Sequence, residues 1–272
     1  MSSLRNGYTH WTGESTGIWQ RRRVITQYGM RLCMKSRLLR GLLILSWALA
    51  LGLIGLCFFF WQLLAPDSVL LRFIQTGDEF QKILDGVTAW MLLYPEICVD
   101  MLYRVSFFAM SEAYLSLSFF AVILFIPKLI ANDLSSQAII IYNSKALTRF
   151  DYMLGKFGVV FSILCLLWVA PITFAWVMGN LISPDWSFFY HSFSSLLSAL
   201  SVALIAVTSL SLLALAISAL ARRSGAAIVL WIFVWILTGV ISQTSIRVKY
   251  ISLPNCIREI SNHIYSFDTI LE

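Results

Sequence analysis

Five apolar runs dictate what this chain can become. They cover Leu42–Leu64, about Ala113–Ala131, about Phe157–Gly179, Ser194–Ala221 and Ala226–Ser245. A helix rises about 1.5 Å per residue, so about 20 apolar residues cross the ~30 Å hydrocarbon layer of a bilayer. Backbone amides cannot stay unpaired in lipid, and a run of this length satisfies them as a helix. The expected fold class is therefore all-α: a polytopic helical membrane protein with about five transmembrane helices. The fourth run is long enough to tilt or to extend past the hydrocarbon. Charged residues make up 12% of the 272, where a soluble domain carries about 25%, so there is no room for a soluble domain of ordinary size. The first run follows 40 largely polar residues and is too long for the apolar core of a cleaved leader. It reads as a helix that stays in the membrane.

Charge placement orients the spans. The net charge is +6, and eight of the 20 Lys and Arg residues fall in the first 40 positions. Such a cluster beside a span faces anionic lipid, and a nucleic-acid partner is not expected. With the N-terminus in the cytoplasm, the inner pieces hold 14 basic residues and the outer pieces 6. That asymmetry favours this orientation. Residues 1–17 are rich in Gly, Ser and Thr. In residues 18–40, Ile18, Ile25, Leu32 and Leu39 recur every seven positions. Two readings fit: a basic amphipathic helix on the membrane surface, or a plain topology signal. The expected organisation is a cytoplasmic N-terminal segment (1–40), a transmembrane domain (41–245) and an outer amphipathic tail (246–272). The transmembrane domain includes an outer loop at 65–112 and a cytoplasmic connection at 128–156. In the tail, Ile257, Ile260, Ile264, Phe267 and Leu271 follow a 3-4-3-4 spacing.

Several chemistries lack their residues. No Asp, Glu, Lys, Arg or His is expected in the middle of a span; Glu112 is placed at the outer mouth of the second and Lys128 at its other end. Proton-coupled transport needs ionisable groups at depth, so it is disfavoured. No HExxH, GxSxG or GxxxxGK[ST] motif occurs, and His10, His191 and His263 are scattered. Catalytic residues, a metal site and a cofactor are not expected. Among the five cysteines, Cys57 and Cys165 read as packing residues, while Cys98 and Cys256 fall in outer segments and are a candidate pair. Ser194, Ser198, Ser201, Thr208, Ser211 and Ser218 recur at spacings of 3, 4 or 7 along the fourth span. Small hydroxyl residues let helices approach closely, so the stripe is a helix interface or a weakly polar pathway wall.

The connection between the second and third spans carries the densest signal. Leu134, Ala138 and Ile141 follow a helical spacing, and Thr148-Arg149-Phe150-Asp151 matches the [ST]xx[DE] helix start. Thr148 can cap Asp151 and Asp151 can cap back, with Leu147 and Tyr152 at the staple positions. The result is a helical hairpin with a stiff knuckle over residues 143–146, exposing Ile139 or Ile140, Tyr142 and Arg149.

The stretch "NDLSSQAIIIYNSKALTRFDYMLGKF" resembles the cytoplasmic connection between the second and third spans of ABC-2 type permeases, the membrane subunits of bacterial ATP-binding cassette exporters. The matching residues are Asp133, Ile139–Ile141, Ser144, Thr148, Arg149, Tyr152, Gly155 and Lys156. Where that family has a proline and an early glycine, this chain has Ala146 and Gln137. The family has six spans, so either the chain is incomplete at Glu272 or one span is lost. The resemblance implies a bacterial inner-membrane protein with a separate ATPase subunit and a second permease copy or paralogue. It also implies that Asp133, Ile139, Tyr142, Ser144, Thr148, Arg149 and Asp151 contact the ATPase. Export is a further implication, and the neutral spans favour an amphiphilic, lipid-linked or peptide cargo. The alternative is a non-transporting membrane scaffold whose knuckle docks another partner.

Overall fold

The computed structural model describes residues 17–64, 86, 89, 93–137, 148–183, 187–221, 223–244 and 252–265. Among them every regular element is a helix: α1 (Ile18–Met34), α2 (Arg37–Leu64), α3 (Pro95–Phe125), a 3-10 turn (Ile126–Lys128), α4 (Ala131–Ser135), α5 (Arg149–Leu167), α6 (Val169–Ile182), α7 (Ser187–Leu220), α8 (Ser224–Thr244) and α9 (Leu253–Ile264). Four of these stretches are long and apolar enough to cross a membrane: α2, α3 with its 3-10 turn and α4, α5 with α6, and α7. Helix α8 is a shorter apolar helix over Ser224–Val240. The chain is thus a polytopic helical protein compatible with several membrane crossings.

Local chemistry sets the breaks. Ser36 turns α1 into α2, its hydroxyl facing the Leu39 amide at 3.5 Å. Pro95 opens α3 at a position whose amide would have no partner anyway. The third apolar run is split at Trp168, because Pro171 cannot bond to the carbonyl of Leu167 and its ring crowds that turn. Trp168 is fully buried and donates to the Ser118 hydroxyl at 2.7 Å.

Helix α1 lies along α5, α2 along α6, and α3 along α7. Helix α9 fits against α3, α7 and α8. The bundle has two ends. At the α1 end are Arg22, Lys156 and the turn into α4. At the far end, Tyr103 and Cys57 converge on Gly179, and Trp61 meets Phe188 with ring centroids 4.3 Å apart.

One element differs from expectation. The second apolar run was expected to start near Ala113, with Glu112 at its mouth. The helix begins at Pro95, and Glu112 lies well inside it. Hydropathy is an average and follows the most apolar window, whereas helix length follows packing: Tyr103 and Phe107 on the earlier turns are fully buried.

Candidate coupling site

The α1 end gathers the charged residues that bracket the 138–147 connection. Thr148 is the N-cap of α5, and its hydroxyl accepts the Asp151 amide at 3.1 Å. The same hydroxyl donates to Asp151 Oδ2 at 2.5 Å. The reciprocal cap thus closes through the two side chains, rather than through the amide of Thr148. Replacing Thr148 with alanine removes both contacts and is expected to destabilise the start of α5 by about 1 kcal/mol. Faster hydrogen exchange at the amides of residues 149–152, with the rest of α5 unchanged, would register it.

The other oxygen of Asp151 belongs to a distant element. Arg22 of α1 reaches Oδ1 through Nη2 at 2.5 Å and Nε at 2.7 Å. Arg22 also stacks over the Trp19 ring at 4.9 Å. Thr26, one turn on, donates to the Gly155 carbonyl at 3.0 Å. These contacts bring α1 so close to α5 that only glycine fits at the crossing. A Cβ on Gly155 would stand 2.9 Å from the Ile25 Cβ, and one on Gly29 would stand 2.5 Å from a Val159 methyl. The seven-residue apolar repeat of α1 is therefore only part of its attachment. Ile25 is half-buried and Leu32 remains exposed, while Leu39, the last member of the repeat, is fully buried in α2.

A second carboxylate closes the base of the connection. Asp133 Oδ2 in α4 receives the Tyr152 hydroxyl at 2.5 Å and the Lys156 ammonium at 2.7 Å. Lys156 also donates to the Leu129 carbonyl at 2.8 Å. Helix α4 is held from the other side by Ser218 of α7, whose hydroxyl accepts from the Ile130 and Ala131 amides at 3.0 and 3.1 Å and donates to the Ile126 carbonyl at 3.1 Å. After α4 the backbone of Gln137 turns with φ of 56°, the left-handed region that favours glycine. That is the position where the resemblance has its glycine.

The expected site residues are placed as follows. Asp133, Thr148 and Asp151 meet Tyr152, Lys156 and Arg22 in this cluster. Arg149 is exposed, beside Phe150 at 66% exposure. Ile139, Tyr142 and Ser144 lie outside the described residues, as do Ala138, Ile141, Leu147 and most of the 65–112 loop. The hydroxyl stripe of α7 divides. Ser211 and Ser218 are fully buried, Ser198 and Ser201 are half-buried, and Ser194 and Thr208 are exposed. Within the stripe Ser218 makes the helix contacts to α4, and two serines outside it make others: Ser192 accepts from Trp176 at 3.0 Å, and Ser195 donates to Asp100. Both cysteines of the candidate pair are free. No three His, Cys, Asp or Glu side chains among the described residues are grouped to hold a metal ion.

The sequence reading missed Arg22 and Lys156 as parts of this cluster. Arg22 is one of three consecutive arginines, and nothing local distinguishes it from its neighbours. Structurally the arrangement is a clamp. Two carboxylates, on either side of the ten-residue stretch 138–147, are each gripped by a cation from a different helix. No family model, no curated protein and no solved structure matches the chain.

Proposed function

We propose that the chain is the permease subunit of an ATP-driven transporter, resembling the ABC-2 type, whose α1 end faces the cytoplasm and docks a separate ATPase subunit. The observation that carries the reading is the clamp around residues 138–147. Asp133 is bound by Tyr152 and Lys156, and Asp151 by Thr148 and Arg22. These contacts tie α4 to α5 and α5 to α1, so a push delivered at either flank of residues 138–147 becomes a rotation of spans. The excess of Lys and Arg in the inner pieces supports the cytoplasmic assignment. Exposed Arg149 and Phe150 supply a charged and apolar contact at the base of the connection. A second permease copy or paralogue completes the transporter, in the inner membrane of a bacterium, and an amphiphilic, lipid-linked or peptide cargo suits its largely neutral spans.

Co-purification from membranes tests this. An ATPase chain carrying a P-loop is expected to accompany the protein. Tyr142→Ala combined with Arg149→Glu is expected to reduce its recovery and its stimulated ATP hydrolysis by about tenfold, as loss of a central aromatic and a charge does at protein interfaces. Unchanged recovery with the double variant would sink the coupling assignment. Reproducible recovery of a partner without ATPase activity would favour the scaffold reading.

A further inference from the structure

Glu112 and Arg258 form a two-pronged ion pair. Arg258 Nε reaches the two carboxylate oxygens at 2.9 and 3.0 Å, and Nη2 reaches Oε2 at 2.7 Å. The pair lies deep along the bundle. Two residues after Glu112, the Tyr114 hydroxyl donates to the Ser46 carbonyl of α2 at 3.3 Å. Ser46 stands six residues past Arg40, which places Glu112 about 12 Å inward from that charged end of the span. In the other direction Tyr103, with Cys57 and Gly179 at the far end, is about 14 Å away along α3. With a bilayer centred on the apolar stretches of α2, α3 and α7, both charges would stand within its hydrocarbon layer.

Yet neither charge is fully covered. The side chain of Glu112 is 30% exposed and that of Arg258 52%. The outward stripe of α3 around them runs Val105, Ala109, Glu112, Ser116 and Phe120, with the half-buried Glu112 between the two small residues. Elsewhere the outward positions are large and apolar, such as Leu51 on α2, Leu212 on α7 and Phe233 on α8. Those suit acyl chains; a partly exposed ion pair among small residues does not.

We infer that this α3/α9 face is where a second copy of the chain packs, with the Glu112–Arg258 pair at the seam. The pair supplies its own complement. A two-fold axis along the membrane normal preserves height, so the acid of one copy meets the base of the other at the same depth. Ala109 and Ser116, one turn to either side, let the two α3 helices approach closely enough for that exchange. The inference deepens the proposed function, in that it rests on the pairing of two permease copies, but it does not need the ATPase.

Oxidative cross-linking in membranes containing this chain alone tests it. Single cysteines are introduced as Ala109→Cys or Ser116→Cys, with Leu51→Cys and Phe233→Cys as outward-facing controls. The parent chain with its five native cysteines sets the background. A dimer band of twice the chain mass is expected at 109 and 116 and only background at 51 and 233. In the Ser116→Cys background, Glu112→Lys alone and Arg258→Glu alone are each expected to lose the band. Co-expression of those two chains under different tags is expected to restore a mixed dimer, because opposite charges then face each other only across the seam. Equal bands at all four positions, absence of a band at 109 and 116, or bands there that ignore the charge changes would overturn the inference. Absence is also the result expected if another segment of the chain or a different protein covers the pair. Because no ATPase is present, failure here is distinguishable from failure of the docking reading.

Discussion

Gly155→Leu is expected to lift α1 off α5 and to turn Cys33 from a protected thiol into a reactive one. At Gly155 an added β-carbon would stand 2.8 Å from Ile25 Cγ2 and 2.9 Å from Ile25 Cβ. A change of rotamer can move the methyl, but the Ile25 β-carbon is fixed by its backbone. The only relief is for the helices to separate, and separation also breaks the Thr26 bond to the Gly155 carbonyl and strains the Arg22–Asp151 pair. Within α5 alone the substitution is favourable, because leucine is a better helix former than glycine by close to 1 kcal/mol. Loss of docking is thus separated from loss of the helix. Cys33 reports it well: it is 2% exposed, and burial pushes its thiol pKa up, which disfavours the reactive thiolate. Maleimide labelling in membranes, read by peptide mass spectrometry, is expected to rise from near background to near completion at Cys33. Gly52→Leu and Gly55→Leu meet nothing within 4 Å and serve as controls. Protection of Cys33 in the Gly155 variant would mean that α1 is held by its apolar face alone.

Asp133→Ala is expected to cost about 3 kcal/mol of stability. It leaves the Lys156 ammonium, whose side chain is 12% exposed, with the Leu129 carbonyl and without the Asp133 counter-charge, and it removes the carboxylate that accepts the Tyr152 hydroxyl. Removing one member of a buried pair is costly because the other stays desolvated; removing both is not. The double variant Asp133→Leu/Lys156→Met is therefore expected to recover at least half of the loss. Unfolding in mixed micelles followed by tryptophan fluorescence measures both midpoints. If the double variant is no more stable than the single one, the pair does more than neutralise itself, and the geometry at Asp133 matters in its own right.

Much of the bundle was legible before folding. All five apolar runs became helices in the expected order, and the Thr148–Asp151 cap closed where the [ST]xx[DE] pattern put it. These are local properties: span length follows from apolar length, and a cap involves residues three apart. The partners of Asp151 and Glu112 are 129 and 146 residues away, at Arg22 and Arg258. No periodicity within a window of a few turns could connect them. The same limit explains Glu112. A sequence window sees an acid and places it at a membrane edge, because an unpaired charge at depth is costly. The tertiary structure supplies an arginine on α9, and the helix runs on past it to Pro95. The α7 stripe shows the converse case. Its spacing was regular, but whether a given hydroxyl faces a neighbour depends on where that neighbour packs: of the stripe Ser218 meets α4, while Ser192 and Ser195, outside it, meet α6 and α3.

The sequence by itself determined that this chain is a helical membrane protein. The hydrocarbon layer admits one backbone solution for each long apolar run, and that requirement acts on each run separately. Which helices touch, which glycines lie at a crossing and which charges neutralise each other were decided only by the tertiary structure. Inside a bilayer, apolar faces gain nothing by choosing one another over lipid, so packing turns on a few small residues and polar pairs brought together from distant parts of the chain. Here these are Gly29 and Gly155 at the α1–α5 crossing, and the carboxylates Asp151, Asp133 and Glu112, each with its own cation.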